Sequence, residues 1–264
     1  MLIAAIAGSV AAMAACGGTG APPPGSHRSA SPSGTAEPAP FSSRASPGPR
    51  PVAGWLAGRD WTYLPTGRHV VALTFDAGAN ADAVPSILAT LRRDRVAATF
   101  FLTGAFARAY PAAARAIAAR GFLIGNHTIT HPYLTRLSDQ EVRAEILGAA
   151  RDIRAVTGDK PAPLFRFPYG DADARTIGIV NRLGYVPVRW TVDTLGWKGT
   201  AGGISASKVL TRILDALRPG EIVLMHVGSN PNDHSTLDAD ALPMVISELR
   251  ARGYSFVTLG ALTG

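Results

Sequence analysis

Five short segments of the chain carry side chains that can transfer protons or bind a metal ion. They are TFDAG (74–78), HTITH (127–131), RFPYG (166–170), DTLGW (193–197) and LMH (224–226). Carboxylates and imidazoles act as general bases and acids, and two neutral imidazoles four positions apart suit zinc or cobalt. The chain has one cysteine, Cys16, which excludes a disulfide framework and a metal site built on several thiolates. Any bound ion must therefore be held by nitrogen and oxygen.

These segments lie at the ends of short apolar runs that are typical of buried strands. The predicted strands span 69–75, 96–102, 122–126, 163–167, 185–193 (one strand or two), 221–226 and 254–259. Helical spacing and capping signals predict helices between them, at 82–93, 111–120, 139–158, 173–183, 205–217 and 238–252. The alternation predicts an α/β fold with a parallel sheet or barrel, in which the residues after the strands meet on one rim.

In their order and approximate spacing, the five segments resemble the motifs of the NodB-type polysaccharide deacetylases, carbohydrate esterase family 4. The resemblance covers about residues 69–260. It implies a deformed (β/α) barrel of about seven strands and a divalent metal, often zinc, with cobalt as a second possibility. The reaction it implies is hydrolysis of an N-acetyl group on a β-linked amino sugar, or of an O-acetyl group on xylan in some members.

The resemblance also implies roles for individual residues. Asp76 would be the general base, with Arg166 holding its pKa down, and the backbone N–H of Tyr169 would face the oxyanion. His226 would be the general acid, oriented by Asp193. Each residue also has a structural interpretation: the aspartate of the first segment could cap the next helix, the arginine could lie at the surface, and the histidine of the last segment could be satisfied in the core.

The metal site implied by the resemblance departs from the family pattern at one position. His127 and His131 are the implied ligands, and the lead-in sequence and the following proline favour a loop or a single turn. The first motif normally reads TFDDG, and its second aspartate binds the metal, but this chain has Ala77 there. Three outcomes are open. Asn80 or Asp82 could supply an oxygen, the histidines could act with the catalytic aspartate or extra waters, or the site could be lost.

The fourth motif departs from the pattern as well. It normally carries another aspartate just before its tryptophan, and this chain has Gly196 before Trp197. Aromatic faces pack well against sugar rings, so we expect Trp197, with Trp190 as a further candidate, to contact the substrate. We expect Pro168 to contact it too. Both tryptophans could equally belong to the core.

The N-terminal region predicts export. Residues 1–16 are apolar and small up to Cys16 and resemble a bacterial lipoprotein signal, with an ordinary secretory signal as the alternative. Residues 17–54 are rich in proline, serine and glycine, which predicts a disordered tether. We expect residues 55–264 to form the catalytic domain. We expect a lipid-anchored monomer on the outer face of the cell membrane, or a secreted protein if the signal is of the ordinary type.

Composition limits the remaining function classes. The 264 residues are 47% hydrophobic and 17% charged, which allows a sizeable core and excludes wholesale disorder. The net charge of +7 favours anionic partners. Export argues against nucleic acid, so we expect a glycan substrate and a membrane contact through the lipid anchor only. The rival functions are a non-catalytic glycan-binding protein on the same fold, motivated by Ala77, and an O-acetyl esterase.

Overall fold

The computed structural model describes residues 51–263. The predicted signal segment 1–16 and the predicted tether up to residue 50 lie outside these residues. Within the described range, no helix combines the length and the apolar character needed to cross a membrane.

Eight parallel strands form one sheet at the centre of the described residues. They are β1 (Val70–Ala77), β2 (Ala98–Leu102), β3 (Leu123–Asn126), β4 (Leu164–Phe165), β5 (Val186–Pro187), β6 (Val192–Asp193), β7 (Glu221–His226) and β8 (Ser255–Phe256). Their order is β5-β4-β3-β2-β1-β7-β6, and β8 pairs with β1. This curled parallel sheet confirms the predicted deformed (β/α) barrel, with β8 as a short addition to the seven strands expected.

The run 185–193 forms two strands that lie at opposite edges of the sheet. β5 pairs with β4, while β6 pairs with β7. Between them, the amide of Val188 donates to the Phe165 carbonyl, and the amide of Thr191 donates to the Ile222 carbonyl. One short segment therefore crosses from one edge of the sheet to the other, which brings the two edges together.

Within residues 51–263, seven α-helices accompany the strands. They are α1 (Val84–Arg93), α2 (Gly104–Ala109), α3 (Pro111–Ala119), α4 (Asp139–Thr157), α5 (Ala174–Arg182), α6 (Ala206–Asp215) and α7 (Leu237–Ala251). The predicted capping box of Ser138 and Glu141 starts α4, and Gly158, with a φ of 89°, ends it. α2 was not predicted, because its six residues are too few to show a helical period. Its signal in the sequence is Thr103, whose side chain caps the Phe106 amide.

Burial of the central strands sets the position of the site. All eight residues of β1 and all five of β2 are buried, and the predicted apolar face of α1 packs against the sheet. Because neighbouring strands are parallel, their carboxyl ends share one edge, where Asp76 lies beside His226 in the register of β1 and β7. Residues that are distant in the sequence therefore meet at this rim, as the fold class predicts.

Candidate active site

A cavity of about 550 Å³ opens at the carboxyl ends of the strands. It is lined by Asp76, Gly78, Ala79, His127, His131, Tyr169, Trp190, Asp193, Trp197, Leu224 and His226. Most residues predicted from the sequence thus share one cavity. Arg166 reaches it through its contact with Asp76, whereas Asn80 and Pro168 are not among its lining residues.

Asp76 is one of two carboxylates that line this cavity, and it is 7% exposed at the end of β1. Its Oδ1 accepts a 2.8 Å hydrogen bond from Nη1 of Arg166, and its Oδ2 lies 3.4 Å from Nε2 of His127. Burial alone would raise the pKa of Asp76, but the positive charge of Arg166 and its hydrogen bond hold that pKa below its usual value. The carboxylate is therefore ionised at neutral pH and can accept a proton.

Arg166 is fully buried, which excludes the surface interpretation. Its Nε donates to the Val188 carbonyl at 3.1 Å, its Nη2 to the Arg189 carbonyl at 2.8 Å and its Nη1 to the Thr74 hydroxyl at 2.8 Å. The guanidinium also lies 4.2 Å from the ring centroid of Phe101. A buried charge needs such partners, and together they fix the orientation from which the arginine meets the carboxylate.

His127 and His131 lie side by side, with ring centroids 4.7 Å apart. Nδ1 of His127 is 2.8 Å from the Arg166 carbonyl, which can only accept, so Nδ1 carries the proton and Nε2 keeps its lone pair. Burial lowers the pKa of both imidazoles, to about 4 for His131, where His127 lowers it further. Both rings are therefore neutral at physiological pH, which is the form that binds a metal ion.

The loop that carries these histidines is strained and held from one side by α4. Thr128 and His131 have positive φ values of 68° and 62°, conformations that non-glycine residues seldom adopt outside functional sites. The carboxylate of Glu145 accepts hydrogen bonds from the amides of Ile129 and Thr130 at 2.7 and 2.9 Å. The segment is a loop, as predicted, but no spacing in the sequence links Glu145 to it.

The donor set fits a metal ion only in part. Two neutral imidazoles suit zinc or cobalt, but Ala77 is fully buried and presents a methyl group where the family motif has a carboxylate. In the range 51–263, no group of three or more His, Cys, Asp or Glu side chains is arranged to hold an ion. This arrangement is compatible with the second expected outcome, in which the histidines act with Asp76 or extra waters, and with the third, in which the site is lost.

Asn80 and Asp82, the expected substitutes for the missing carboxylate, are engaged elsewhere. Oδ1 of Asn80 accepts from the amides of Ser229 and Asp82, and its Nδ2 donates to the Ser229 carbonyl at 3.0 Å. Oδ2 of Asp82 accepts from the Ser229 hydroxyl. The expectation that Asn80 binds the metal therefore needs correction, because its side chain ties the loop after β1 to the loop after β7.

His226 lines the same cavity and lies beside a carboxylate, Asp238, that was not predicted from the sequence. Oδ2 of Asp238 accepts a 2.8 Å hydrogen bond from the His226 amide and lies 3.6 Å from its Nδ1. Burial would lower the pKa of His226, but Asp238, with smaller contributions from Asp76 and Asp193, raises that pKa above its usual value. The imidazole is therefore held in the form that can donate a proton.

Asp193 lines the cavity, but it does not orient His226 as expected. Its Oδ1 accepts from the Leu195 amide at 2.8 Å, and its Oδ2 is 3.4 Å from Nε1 of Trp197. The carboxylate therefore shapes the turn that carries the tryptophan. The contact predicted for it belongs to Asp238, which the sequence shows as one of several aspartates near the start of a helix.

Exposed aromatic rings form the walls of the cavity. Trp197 is 47% exposed, and Tyr169, at 54%, stacks on Tyr133 with centroids 4.1 Å apart. Tyr169 has a φ of 59°, which turns the chain directly after the buried Pro168. The expected substrate contact of Pro168 is not supported, since the proline lies in the base of this turn. The role of the Tyr169 amide stays a prediction.

A carboxylate and an imidazole at one rim of a parallel barrel are the groups that a hydrolytic enzyme uses as general base and general acid. The family model described as "Polysaccharide deacetylase" matches residues 64–188. The chain belongs to this family, the NodB type of carbohydrate esterase family 4.

Two relatives and two solved structures illustrate the similarity. A peptidoglycan-N-acetylglucosamine deacetylase of Bacillus cereus is 35% identical over 198 residues, covering 75% of this chain and 70% of the relative. A chitooligosaccharide deacetylase of Azorhizobium caulinodans is 33% identical, covering 72% and 92%. The crystal structure of the Bc1960 peptidoglycan N-acetylglucosamine deacetylase has a TM-score of 0.69 at 34% identity, covering 76% of this chain and 90% of that one. A family pseudoenzyme of Bacillus anthracis has a TM-score of 0.67 at 29% identity, covering 75% and 66%.

Proposed function

We propose that this protein hydrolyses acetyl groups from an N-acetylated glycan of the cell envelope and releases acetate. The observation that carries the proposal is the arrangement of one cavity, in which Asp76 and His226 end adjacent strands and have opposite pKa shifts. A pair of groups whose pKa values are pushed apart is typical of a base and an acid that act in the same reaction. The names of the relatives, which act on peptidoglycan and chitooligosaccharides, support the substrate class.

The base side of the cavity begins the reaction. Asp76 takes a proton from the attacking water, and Arg166 keeps the carboxylate ionised until it does so. The fixed guanidinium also prevents the carboxylate from turning away, since its other donors hold backbone carbonyls. The amide of Tyr169, in its left-handed turn beside the cavity, would stabilise the negative charge that develops on the acetyl oxygen.

The acid side completes the reaction. His226 donates its proton to the leaving nitrogen, so that the amine departs in a neutral form. Trp197 lines the same side of the cavity, 6.5 Å from the imidazole by ring centroids, and would place a sugar ring over the acid. The exposed pair Tyr133 and Tyr169 provides an aromatic face beside His131 for a neighbouring sugar.

His127 and His131 would hold a divalent metal, zinc or cobalt, through their free ring nitrogens. Such an ion supplies Lewis acidity that polarises the water and the acetyl carbonyl. With a methyl group at Ala77, we propose that the ion is bound more weakly than by a site with a third protein carboxylate. The His127 Nε2 lone pair and the neutral state of both rings support this role.

The test is an assay of acetate release. We expect the protein with added zinc or cobalt to release acetate from N-acetylglucosamine oligomers or peptidoglycan strands, and to release less from acetylated xylan. Xylan as the better substrate would assign the O-acetyl esterase function instead. Binding of the oligomers without any acetate release would show a glycan-binding protein, the alternative that Ala77 and the pseudoenzyme neighbour motivate.

We also propose that Cys16 anchors the protein to the outer face of the membrane by a lipid. The apolar run before this cysteine supports the proposal, and peptidoglycan would then be the nearest polymer. Cell fractionation provides the measurement: wild-type protein should be in the membrane fraction, and a Cys16→Ser variant should not. Equal distribution of both proteins in the soluble fraction would contradict the anchor.

A further inference from the structure

The carboxylate of Asp238 lies directly beside Gly196. A methyl group built on Gly196 would lie 2.5 Å from Cγ and 2.9 Å from Oδ2 of Asp238. No real side chain tolerates such distances, so the carboxylate occupies the space that a side chain at position 196 would need. Position 196 is also where the fourth family motif has an aspartate, and the backbone there has no positive φ that would require glycine.

The contacts of the Asp238 carboxylate direct one of its oxygens towards His226. Its carboxylate is 4% exposed, and its Oδ1 accepts a 2.7 Å hydrogen bond from the Thr194 hydroxyl. Its Oδ2 accepts the His226 amide and faces Nδ1 at 3.6 Å. Nδ1 is buried and has no hydrogen-bond partner in the described part of the chain, and Oδ2 of Asp238 is the carboxylate oxygen that faces it. The carboxylate is thus fixed at two points and has one oxygen directed at the ring.

The position of Asp238 in α7 suits a carboxylate. It lies in the first turn of the helix, where unpaired amides favour negative charge. Asp193, the other carboxylate on this side, is committed to the Leu195 amide and the Trp197 indole. Asp238 is therefore the carboxylate that faces Nδ1 of the His226 ring.

We propose that Asp238 is the positioning residue of the general acid, in place of the carboxylate that the fourth motif normally carries at position 196. Asp238 holds the proton on Nδ1 of His226 and directs Nε2 into the cavity. The separation of 3.6 Å agrees with this role, since catalytic hydrogen bonds in free active sites are often long. This inference rests on the proposed function, because it assigns an orienting partner to the acid of that reaction.

The first test compares Asp238→Asn with the matched control Asp240→Asn, which changes an exposed carboxylate in the same turn. Asp238→Asn keeps the shape but places a wrong or weaker partner at Nδ1, so we expect kcat to fall roughly 100-fold with KM changed less than about threefold. Asp240→Asn should retain wild-type kcat. Equal kcat in both variants would overturn the inference.

The second test moves the carboxylate back to its usual position. Asp238→Ala should lose kcat like Asp238→Asn, and adding Gly196→Asp to Asp238→Ala should restore at least about tenfold of that loss, because the new side chain starts where the present carboxylate lies. A merely structural role for Asp238 predicts no such rescue. A double variant no more active than the single variant would contradict the inference.

The third test needs no activity, which separates this inference from the proposed function. Nitrogen NMR of labelled histidine in the whole protein reports which ring nitrogen of His226 carries the proton when the ring is neutral. We expect Nδ1–H in the wild type and a mixture of tautomers in Asp238→Ala. The same tautomer in both proteins would overturn the positioning role, whereas absent acetate release with this NMR difference present would overturn the proposed function alone.

Discussion

At one position on each side of the cavity, this chain lacks a carboxylate that the family motifs carry. The structure around these two positions differs. On the acid side, Gly196 leaves a space that Asp238 fills from α7. On the side of the base, the methyl of Ala77 is buried in the core cluster beneath the sheet edge, and the nearby Asn80 is tied to Ser229. The missing carboxylate is thus replaced from another element beside Gly196, where the space borders α7, whereas the described residues hold no third possible metal ligand beside the histidine pair.

The largest effect should come from Asp76, the proposed general base. Asp76→Asn keeps the shape but cannot take a proton, and we expect kcat/KM to fall by about a thousandfold. Acetate release measured with zinc in excess gives the result. Asp82→Asn is the control, because it removes an exposed carboxylate from the same loop without touching the cavity. A loss below about tenfold in Asp76→Asn would mean that another group is the base.

A carboxylate restored at position 77 should change both the zinc affinity and the stability of the protein. Ala77→Asp supplies a third ligand, and we expect zinc affinity to rise by roughly 10- to 100-fold. Without metal, the same carboxylate is buried without a partner and should lower the free energy of unfolding by about 3 kcal/mol. Calorimetric titration and thermal unfolding in chelator measure the two effects.

Ala77→Ser is the matched control for this substitution, because it adds a small polar group without charge. It should change zinc affinity little. Equal zinc affinity in Ala77→Asp and wild type would show that position 77 does not face the ion and that the histidine pair is completed elsewhere.

The hydrogen bonds that Glu145 of α4 accepts from the histidine loop should have a smaller effect on zinc binding. Glu145→Gln exchanges a charged acceptor of two backbone amides for a neutral one, which we expect to cost about 1–2 kcal/mol of stability. The loosened loop should also weaken zinc binding by about tenfold. Glu248→Gln, on the exposed face of α7, is the comparison. Unchanged zinc affinity would assign Glu145 to folding alone.

The effect of Asp238 on the pKa of His226 should also appear in the pH profile of kcat/KM. Asp238 raises the pKa of His226, so the acid stays protonated to higher pH and the alkaline limb of the wild-type profile lies above the usual histidine value. Removing the charge in Asp238→Asn lowers this pKa, and the alkaline limb should move to lower pH. The acidic limb, set by Asp76, should shift less. An unmoved alkaline limb would mean that another group is the acid.

The fold and the chemistry of the cavity were predictable because they depend on local patterns. Strand runs ended at Asp76 and His226, and the parallel sheet then had to bring these ends together. The split of 185–193 into two strands was left open, since the crossing of the sheet depends on pairing partners far along the chain.

The contacts of Asp238 and Glu145 were not predictable for the same reason. Each is a carboxylate on a helix, and nothing in its local spacing distinguishes it from the exposed carboxylates of the same helices. Asp193 was expected to orient His226 because it lies in a recognised motif. The structure instead gives that contact to Asp238, since the small Gly196 admits a side chain from α7.

The dependence of acetate release on zinc tests the central claim most directly. The wild-type protein is treated with chelator and then titrated with zinc in the presence of N-acetylglucosamine oligomers, with a His127→Ala variant alongside. We predict that wild-type activity is absent in chelator and rises to saturation with zinc, and that His127→Ala stays inactive over the same range. Acetate release that persists in chelator, or that is absent in the wild type at every zinc concentration, would contradict the account.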